Sequence, residues 1–265
     1  MTVVMGVVNV TPDSFSDGGR HLCEDDAVAH GEALRADGAD ILDIGGESTR
    51  PGAARVDPAL EQDRVLPVIA RLAATGAVIS VDTMNAATAL AAVAAGARIV
   101  NDVSGGLADP DMLPAVAGTD ADVILQHWRG HSAAMYAPAD YADITAEVIG
   151  ELRQRVQAAT DAGIPAERII LDPGFGFGKQ PADNWQLAHN LPHLVGLGFR
   201  VLVGTSRKRM LAIAIGEEAS EERKDLATAV TSVLAAQAGV WGVRVHDVAS
   251  TRIALVVRDE WEGRG

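Results

Sequence analysis

The chain of 265 residues contains a single cysteine, Cys23, so an intrachain disulfide is excluded and a reducing compartment, the cytoplasm, is expected. No apolar run is long enough to span a membrane. Asn9, Thr11 and Asp13 interrupt the apolar stretch at the N-terminus, and no charged segment precedes it, so a signal peptide is not expected. Basic residues are in the minority: 22 Lys and Arg stand against 36 Asp and Glu, which gives a formal charge of -14. This balance argues against nucleic acid and anionic membranes as partners.

What the sequence does have is a repeated rhythm of a short apolar run, a polar or glycine-rich loop and an alanine-rich amphipathic segment. The apolar runs consist mainly of Val, Ile and Leu, as expected for parallel strands that are covered on both faces. The pattern predicts eight strands. They span residues 3–8, 40–44, 78–81, 98–101, 122–125, 169–171, 201–203 and 242–245.

Helices are predicted between these strands, and several of them end at a glycine that suits a helix C-terminus, namely Gly38, Gly76, Gly96 and Gly163. The predicted helices span residues 25–37, 59–74, 86–94, 111–116, 142–162, 184–194 and 226–238, and a last one starts near Val248. Strict alternation of strand and helix favours right-handed βαβ units.

Eight βαβ units close most simply into a barrel, so the predicted fold class is α/β, a single (β/α)8 TIM barrel formed by one domain over residues 1–265. The alternative architecture is an open doubly wound sheet. It is less favoured, because no G-x-G-x-x-G pattern follows the first strand.

Nearly every predicted strand finishes in a polar group, and in a barrel these strand ends meet at one mouth. The polar groups are Asn9, residues 47–49, Asp82, Asn101, His127, Asp172, residues 206–208, Arg244 and His246. A ring of convergent polar side chains at this mouth is where barrel active sites lie. The pattern therefore indicates an enzyme.

Two long loops leave the first two strands, at residues 6–19 (GVVNVTPDSFSDGG) and 43–52 (DIGGESTRPG). Loops of this length over one mouth suggest lids that exclude water. Ordinary turn-rich connections explain their composition equally well.

Two further patterns resemble binding motifs but do not meet their requirements. Residues 174–179 (GFGFGK) miss the Walker A spacing and its Ser or Thr after the lysine, because Gln180 follows. His127 and His131 have the helical spacing of zinc ligands, but they follow a strand and flank Gly130, so a zinc site is disfavoured.

The two long loops closely resemble the signature loops of dihydropteroate synthases. Five later stretches match the family in order: residues 80–83 (SVDT), 100–102 (VND), 171–179 (LDPGFGFGK), 204–208 (GTSRK) and 243–247 (VRVHD). The resemblance covers essentially the whole chain. It implies an enzyme of folate biosynthesis that condenses 6-hydroxymethyl-7,8-dihydropterin diphosphate with p-aminobenzoate, uses Mg²⁺ and forms a homodimer.

The resemblance also implies roles for single residues. The pterin pocket would consist of Asp82, Asn101, Gln126, Asp172, Phe177, Lys208 and Arg244. A carboxylate such as Asp172 can accept two neighbouring N–H donors of the pterin edge, and Arg244 can stack on the ring. A lone Asp at a strand end is more often a helix N-cap, so the assignment depends on several groups converging at the mouth.

The p-aminobenzoate site would use Phe15, Thr49, Pro51, Ser206 and Arg209. Residues 206–209 (SRKR) open a predicted helical segment through Ile215, and the start of a helix favours a carboxylate. Three adjacent cations are normally a solvated basic edge, but at a strand end of so acidic a chain they are interpreted as an anion site. The diphosphate site would use Asn9, Arg50, Arg244 and His246, with Mg²⁺ bridging the diphosphate and Asn9. The catalytic set implied in this way is Asn9, Lys208, Arg244 and His246.

Two positions depart from the family pattern, and both bear on substrate affinity rather than on reaction class. Gln126 stands where many relatives carry Met, and Arg209 stands where Ser is common. Two other functions stay open at this point. A pterin-binding methyltransferase would share the Asp and Asn anchors but bind no diphosphate, and a non-catalytic paralogue would have lost residues of the lids or the anion site.

Overall fold

The computed structural model describes residues 1–11, 20–47, 56–129 and 140–264. Four residues expected in the site, Phe15, Thr49, Arg50 and Pro51, lie outside the described residues, as does His131. The same is true of most of the two predicted lids, residues 11–21 and 48–56.

The strands form a closed parallel barrel in which each strand pairs with the next and β8 pairs with β1, so the predicted fold class is confirmed. The strands are β1 (Val3–Asn9), β2 (Ile41–Gly45), β3 (Val78–Asp82), β4 (Ile99–Asp102), β5 (Asp122–Gln126), β6 (Ile169–Asp172), β7 (Arg200–Val203) and β8 (Gly242–Val245). Five strands run one residue further than predicted, into a polar residue: Asn9, Asp82, Asp102, Gln126 and Asp172. At these positions the backbone continues the strand although the side chain is polar.

The inner faces of the strands carry two layers of side chains, an apolar one and a polar one. An apolar layer inside the barrel contains Met5, Ile41, Ile99, Ile124, Ile170 and Leu202. Side chains alternate across a strand, so a residue two positions further on lies on the same inner face. On β2, β4, β5 and β6 those residues are Asp43, Asn101, Gln126 and Asp172. The barrel is therefore closed by apolar side chains at its lower end and lined by polar ones at its mouth.

The helices cover the outside of the barrel, and a large core of Val, Leu, Ile and Ala lies between them and the strands. They are α1 (Arg20–Ala36), α2 (Pro58–Ala74), α3 (Ala86–Ala94), α4 (Met112–Ala117), α5 (Ile144–Asp161), α6 (Pro181–His189), α7 (Leu191–Val195), α8 (Arg209–Ile215), α9 (Glu221–Gln237) and α10 (Val248–Trp261). The predicted terminating glycines Gly38, Gly76, Gly96 and Gly163 all have positive φ angles, as a left-handed helix terminus requires. No helix in the described ranges is long and apolar enough to cross a membrane.

Two predicted helices were wrong in detail. The helix predicted at residues 184–194 is two helices, α6 and α7, that meet at Asn190. Pro192 lacks the N–H that a continuous helix would need there. The helical segment predicted to open at Ser206 begins only at Arg209, because Arg207 has a φ of 57° and cannot belong to a right-handed helix.

Candidate active site at the barrel mouth

The floor of the mouth is an ionic network that centres on Arg244 of β8. Arg244 Nε donates to Asp43 Oδ2 over 2.6 Å, and Arg244 Nη2 donates to Asp82 Oδ2 over 2.8 Å. Asn101 Nδ2 donates to the same Asp43 oxygen over 3.0 Å. Four strands thus bring together three of the predicted site residues, Arg244, Asp82 and Asn101.

Asp43 is the member of this network that sequence reasoning missed as a site residue. It is fully buried, and its Oδ1 atom has no hydrogen-bond partner among the described residues. The sequence held a signal for it, since a carboxylate within the apolar run Ile41–Gly45 needs a buried partner. Burial raises the pKa of the neighbouring Asp82 to about 7, against the opposing charge of Arg244 and with a further contribution from Asp43.

Asp172 ends β6 and has one oxygen in use. Its Oδ1 accepts from the Gly174 backbone N–H over 2.7 Å, while its Oδ2 has no hydrogen-bond partner among the described residues. Burial raises the pKa of Asp172, although the positive charge of Lys208 lowers it. Asp172 lies beside Gln126 in the strand register, and Gln126 Nε2 donates to the Val103 carbonyl over 3.3 Å. Gln126 therefore lies in the polar layer at the mouth.

Lys208 and Phe177 form a third part of the site. The Lys208 ammonium lies 4.7 Å from the centroid of the Phe177 ring and donates to the Phe175 carbonyl over 2.6 Å. Burial lowers the pKa of Lys208 to about 8, and the charge of Asp172 opposes this shift. A cation, an aromatic ring and a carboxylate thus belong to one cluster.

Ser206 and His246 are joined at the adjoining strand ends. Ser206 Oγ lies 2.8 Å from His246 Nδ1 and accepts from the His246 backbone N–H over 3.2 Å. The hydroxyl can then donate to Nδ1, which places the proton of a neutral His246 ring on Nε2. Asn9, at the end of β1, is half-buried, and its side chain makes no hydrogen bond with the described residues.

The cations at residues 206–209 do not act as one basic cluster, which corrects the interpretation of this motif. Arg207 turns away from the mouth and donates to both oxygens of Asp225, over 2.8 and 2.7 Å, with Glu221 at 3.2 Å. Arg209 is exposed at the first position of α8. Only Lys208 of the three is held in the cluster with Phe177.

A second polar group lies behind the loop at residues 173–178 and was not predicted. Lys179 Nζ lies 2.9 Å from His127 Nδ1, and His127 Nε2 lies 2.9 Å from Glu151 Oε2. Both ring nitrogens of His127 are therefore in use, which disfavours a zinc ligand. Among the residues with described positions, no group of three His, Cys, Asp or Glu side chains could hold a metal ion.

Comparison of the sequence with known proteins assigns the chain to a family. A family profile described as "Pterin binding enzyme" matches residues 5–246. The dihydropteroate synthase of Mycobacterium leprae is 51% identical over 263 residues, which cover 97% of this chain and 93% of that protein. The chain belongs to the dihydropteroate synthases.

Solved structures of the family agree in fold. The dihydropteroate synthase of Xanthomonas albilineans with 4-aminobenzoic acid superposes with a TM-score of 0.92 at 48% identity, covering 98% of this chain and 93% of that one. The same enzyme in complex with 7,8-dihydropteroate gives 0.89 at 45% identity, covering 98% and 94%. The dihydropteroate synthase family therefore accounts for nearly all of the chain, and the methyltransferase alternative has no support among these relatives.

Proposed function

We propose that the chain condenses 6-hydroxymethyl-7,8-dihydropterin diphosphate with p-aminobenzoate in folate biosynthesis, giving 7,8-dihydropteroate and diphosphate. The observation that carries this proposal is the 51% identity to a dihydropteroate synthase over nearly the whole chain. The barrel mouth supports it with a buried carboxylate, Asp172, and a cation beside an aromatic ring, Lys208 and Phe177. The proposal assigns all of residues 1–265 to one pterin-binding barrel domain in the cytoplasm.

The pterin is proposed to bind in the polar layer of the mouth. Asp172 Oδ2 is available to accept from the pterin N–H edge, because Oδ1 is already held by Gly174. The side-chain amide of Asn101 donates one N–H to Asp43 and retains its Oδ1 and its second N–H for the ring. Gln126 and Asp82 complete the polar lining, while Lys208 donates to the pterin carbonyl and ring nitrogen.

Arg244 is proposed to stack its guanidinium plane against the ring while contacting the diphosphate. Two carboxylates, Asp43 and Asp82, already fix the orientation of that plane. A guanidinium held in this way is preorganised and loses little freedom when the substrate binds.

The diphosphate is proposed to contact Asn9, Arg50, Arg244 and His246. Mg²⁺ prefers oxygen ligands and usually keeps waters while binding substrate phosphates. The amide oxygen of Asn9, which no described residue occupies, fits this donor set, and the remaining ligands would come from the diphosphate and water. When bound, Mg²⁺ neutralises negative charge on the diphosphate. Asn9, Lys208, Arg244 and His246 are the proposed catalytic residues.

The p-aminobenzoate is proposed to bind against Ser206 and Arg209 at the start of α8, together with Phe15, Thr49 and Pro51. Its amine is a weak nucleophile, because the lone pair is delocalised into the ring and the carboxylate. A general base gives little help, since the neutral amine already has its lone pair. The cations of the site instead stabilise charge that develops on the departing diphosphate.

We therefore propose an SN1-like substitution in which the C–O bond to diphosphate breaks first and p-aminobenzoate then attacks the pterin cation. The bond electrons leave with the diphosphate, and the amine loses a proton after the new C–N bond forms. A secondary deuterium isotope effect at the pterin methylene should be clearly above unity. A value near unity contradicts the dissociative step.

The activity is tested by diphosphate release from the purified chain. Release should require both substrates and Mg²⁺, and it should stop when p-aminobenzoate is omitted. Release without p-aminobenzoate would indicate hydrolysis instead of condensation. The order of binding is tested by equilibrium binding of p-aminobenzoate with and without diphosphate and Mg²⁺, and tighter binding in their presence is expected.

A homodimer is the proposed assembly. Two neighbouring helices, α9 and α10, expose large apolar side chains at helical spacing. These are Leu226, Val230, Leu234, Ile253, Val256, Val257 and Trp261, here called the α9–α10 apolar face. A soluble monomer rarely exposes a contiguous patch of this kind, and a second copy of the same face can cover it by twofold symmetry.

A further inference from the structure

Lys179 is a charged residue that the reaction described above does not use, and yet it is almost completely buried. Its Nζ atom has three acceptors: the Gly174 carbonyl at 2.8 Å, the Phe177 carbonyl at 3.1 Å and His127 Nδ1 at 2.9 Å. An ammonium group has three N–H donors and no acceptor, so the three contacts use its full hydrogen-bonding capacity. Such a group can hold a loop in place but cannot also contact a substrate.

The partners of Lys179 are themselves fixed from outside. Burial, followed by the charge of Lys179, lowers the pKa of His127 to about 4, so the ring is neutral. A neutral ring that accepts at Nδ1 carries its proton on Nε2 and donates it to Glu151. Arg129 Nε donates to Glu151 over 3.0 Å, and Arg129 Nη2 donates to Glu147 over 2.8 Å. A continuous chain of polar contacts therefore runs from α5 to Lys179.

The segment held by Lys179 is the turn at residues 174–177, which is part of the pterin pocket. The Phe177 N–H donates to the Gly174 carbonyl over 3.1 Å, so Lys179 binds the carbonyls at both ends of this turn. The Gly174 N–H fixes Oδ1 of Asp172, and the Phe177 ring lies beside Lys208. Lys208 donates to a third carbonyl of the turn, that of Phe175.

The turn is thus clamped between two lysines with different surroundings. Lys208 donates to the Phe175 carbonyl of the turn and lies beside the Phe177 ring, in the proposed pterin pocket. Lys179 contacts it together with His127, whose other ring nitrogen leads to Glu151 on α5. The positions of the Phe177 ring and of the Asp172 carboxylate in the pocket both depend on where this turn lies.

We propose that Lys179 is a positioning residue for pterin binding: it fixes the turn at residues 174–177 so that Phe177 and Asp172 have the geometry the pterin needs. This inference rests on the proposed function, because it assigns the turn to the pterin pocket. Burial lowers the pKa of Lys179 to about 7, and the charge of Asp172 acts in the opposite direction. The protonated form is the one that satisfies all three acceptors.

The first test replaces Lys179 by methionine, which keeps the length of the side chain and removes its donors. In Lys179→Met the KM for the pterin diphosphate should rise about tenfold or more, while kcat changes less than about threefold. The Kd of 6-hydroxymethylpterin monophosphate, measured by calorimetry, should weaken by the same factor as KM.

The matched control is Arg168→Met. Arg168 also caps buried carbonyls, those of Ala121 and Val116, but it does so beside the first residues of β5 and β6, at the opposite end of the barrel. This variant should lose stability and keep the wild-type KM for the pterin. An equal loss of pterin affinity in both variants would mean that general destabilisation explains the effect and would overturn the proposal.

A double-mutant cycle tests whether Lys179 acts through the position of the Phe177 ring. Phe177→Leu and Lys179→Met should weaken pterin binding by less in combination than the product of their single effects, because both disturb the same contact. Independent effects would contradict the proposal. If Lys179→Met does not fold, Lys179→Gln serves in its place. Because glutamine retains neutral donors, its loss of pterin affinity should be smaller than the roughly tenfold loss expected for Lys179→Met.

The outcomes also separate this inference from the proposed function. If the wild-type protein binds the pterin and a folded Lys179 variant binds it equally well, the positioning role alone is overturned. Wild-type protein that neither binds the pterin nor releases diphosphate overturns the proposed function, and the positioning role with it.

Discussion

At the scale of single residues, the proposed pterin contact of Asp172 depends on which of its carboxylate oxygens is already occupied. Asp172 has one oxygen held by Gly174 and one that the proposal assigns to the pterin, so Asp172→Asn removes a charged acceptor without changing the shape of the side chain. We expect pterin binding to weaken by roughly 1.5–3 kcal/mol, which is about tenfold to a hundredfold in Kd. Calorimetry with 6-hydroxymethylpterin monophosphate measures the loss, and circular dichroism verifies the fold.

The control for this variant is Asp122→Asn. Asp122 begins β5 at the opposite end of the barrel and is paired only with Arg200, over 2.8 Å, among its described contacts. Loss of a partly exposed ion pair should cost about 1 kcal/mol or less and leave the pterin Kd unchanged. Wild-type pterin affinity in Asp172→Asn would remove Asp172 as the anchor.

Lys208 gives the site a pH dependence whose sign follows from its lowered pKa. In the free enzyme Lys208 loses its proton as the pH rises through about 8. A pterin that accepts from the ammonium favours the charged form, so affinity is full below this pH and declines above it. The Kd of 6-hydroxymethylpterin monophosphate, measured across this window, should show the decline in wild-type protein and lose it in Lys208→Met. A decline of the same size in Lys208→Met would assign the titration to another group.

Single residues also show where sequence reasoning ends. Asp172, Asn101, Asp82 and Arg244 were predicted as site residues from their places at or near strand ends together with the family resemblance. Asp43 lies two residues earlier, within its run, and its contact with Arg244 spans the first and last thirds of the chain. Only the closed barrel brings these two side chains together, so local pattern could indicate a buried charge but not its partner.

At the scale of elements, the turn after β6 should tolerate almost no added atom. Gly174 has a φ of 68°, and a Cβ there would lie 2.2 Å from the His127 carbonyl oxygen. Gly198 also has a positive φ, of 85°, but a Cβ there would meet nothing within 4 Å. The two glycines therefore separate backbone strain from steric overlap.

We expect Gly198→Ala to lower the free energy of unfolding by about 1–2 kcal/mol, the usual cost of a left-handed conformation for alanine. Gly174→Ala should cost more than this and should also weaken pterin binding, because the turn must move away from His127. Urea denaturation and calorimetry measure the two effects. Equal losses of stability, with pterin affinity preserved in both, would show that the turn can relax without disturbing the pocket.

Most element boundaries followed from periodicity, since apolar runs mark strands and glycines mark helix ends. One error has a local cause and another a tertiary one. The start of α8 depends on the positive φ of Arg207, a conformation that a residue with a Cβ rarely adopts and that no pattern in the sequence indicates. The bidentate pair between Arg207 and Asp225 of α9 removes that cation from the basic motif, and this pairing depends on how the loop between β7 and α8 packs against α9.

At the scale of the whole molecule, a strongly acidic chain exposes seven large apolar side chains on two neighbouring helices. The formal charge is -14, so two copies repel each other unless they meet through apolar groups. The α9–α10 apolar face offers such a contact, and Trp261, 87% exposed, lies at its end. In a twofold dimer each substitution in this face occurs twice at the interface, which doubles its effect.

We therefore expect Leu234→Glu to convert the proposed dimer to a monomer, because a carboxylate buried at an apolar interface without a partner costs several kcal/mol. Sedimentation velocity over a range of protein concentrations measures the change. Leu90→Glu is the control, since Leu90 is also a half-exposed leucine on a helix, α3, and lies outside the α9–α10 apolar face. The control should remain dimeric. A wild-type chain that sediments as a monomer, or a Leu234→Glu variant that stays dimeric, would show that this face is not the contact between copies, and the exposed apolar side chains would then need a different partner.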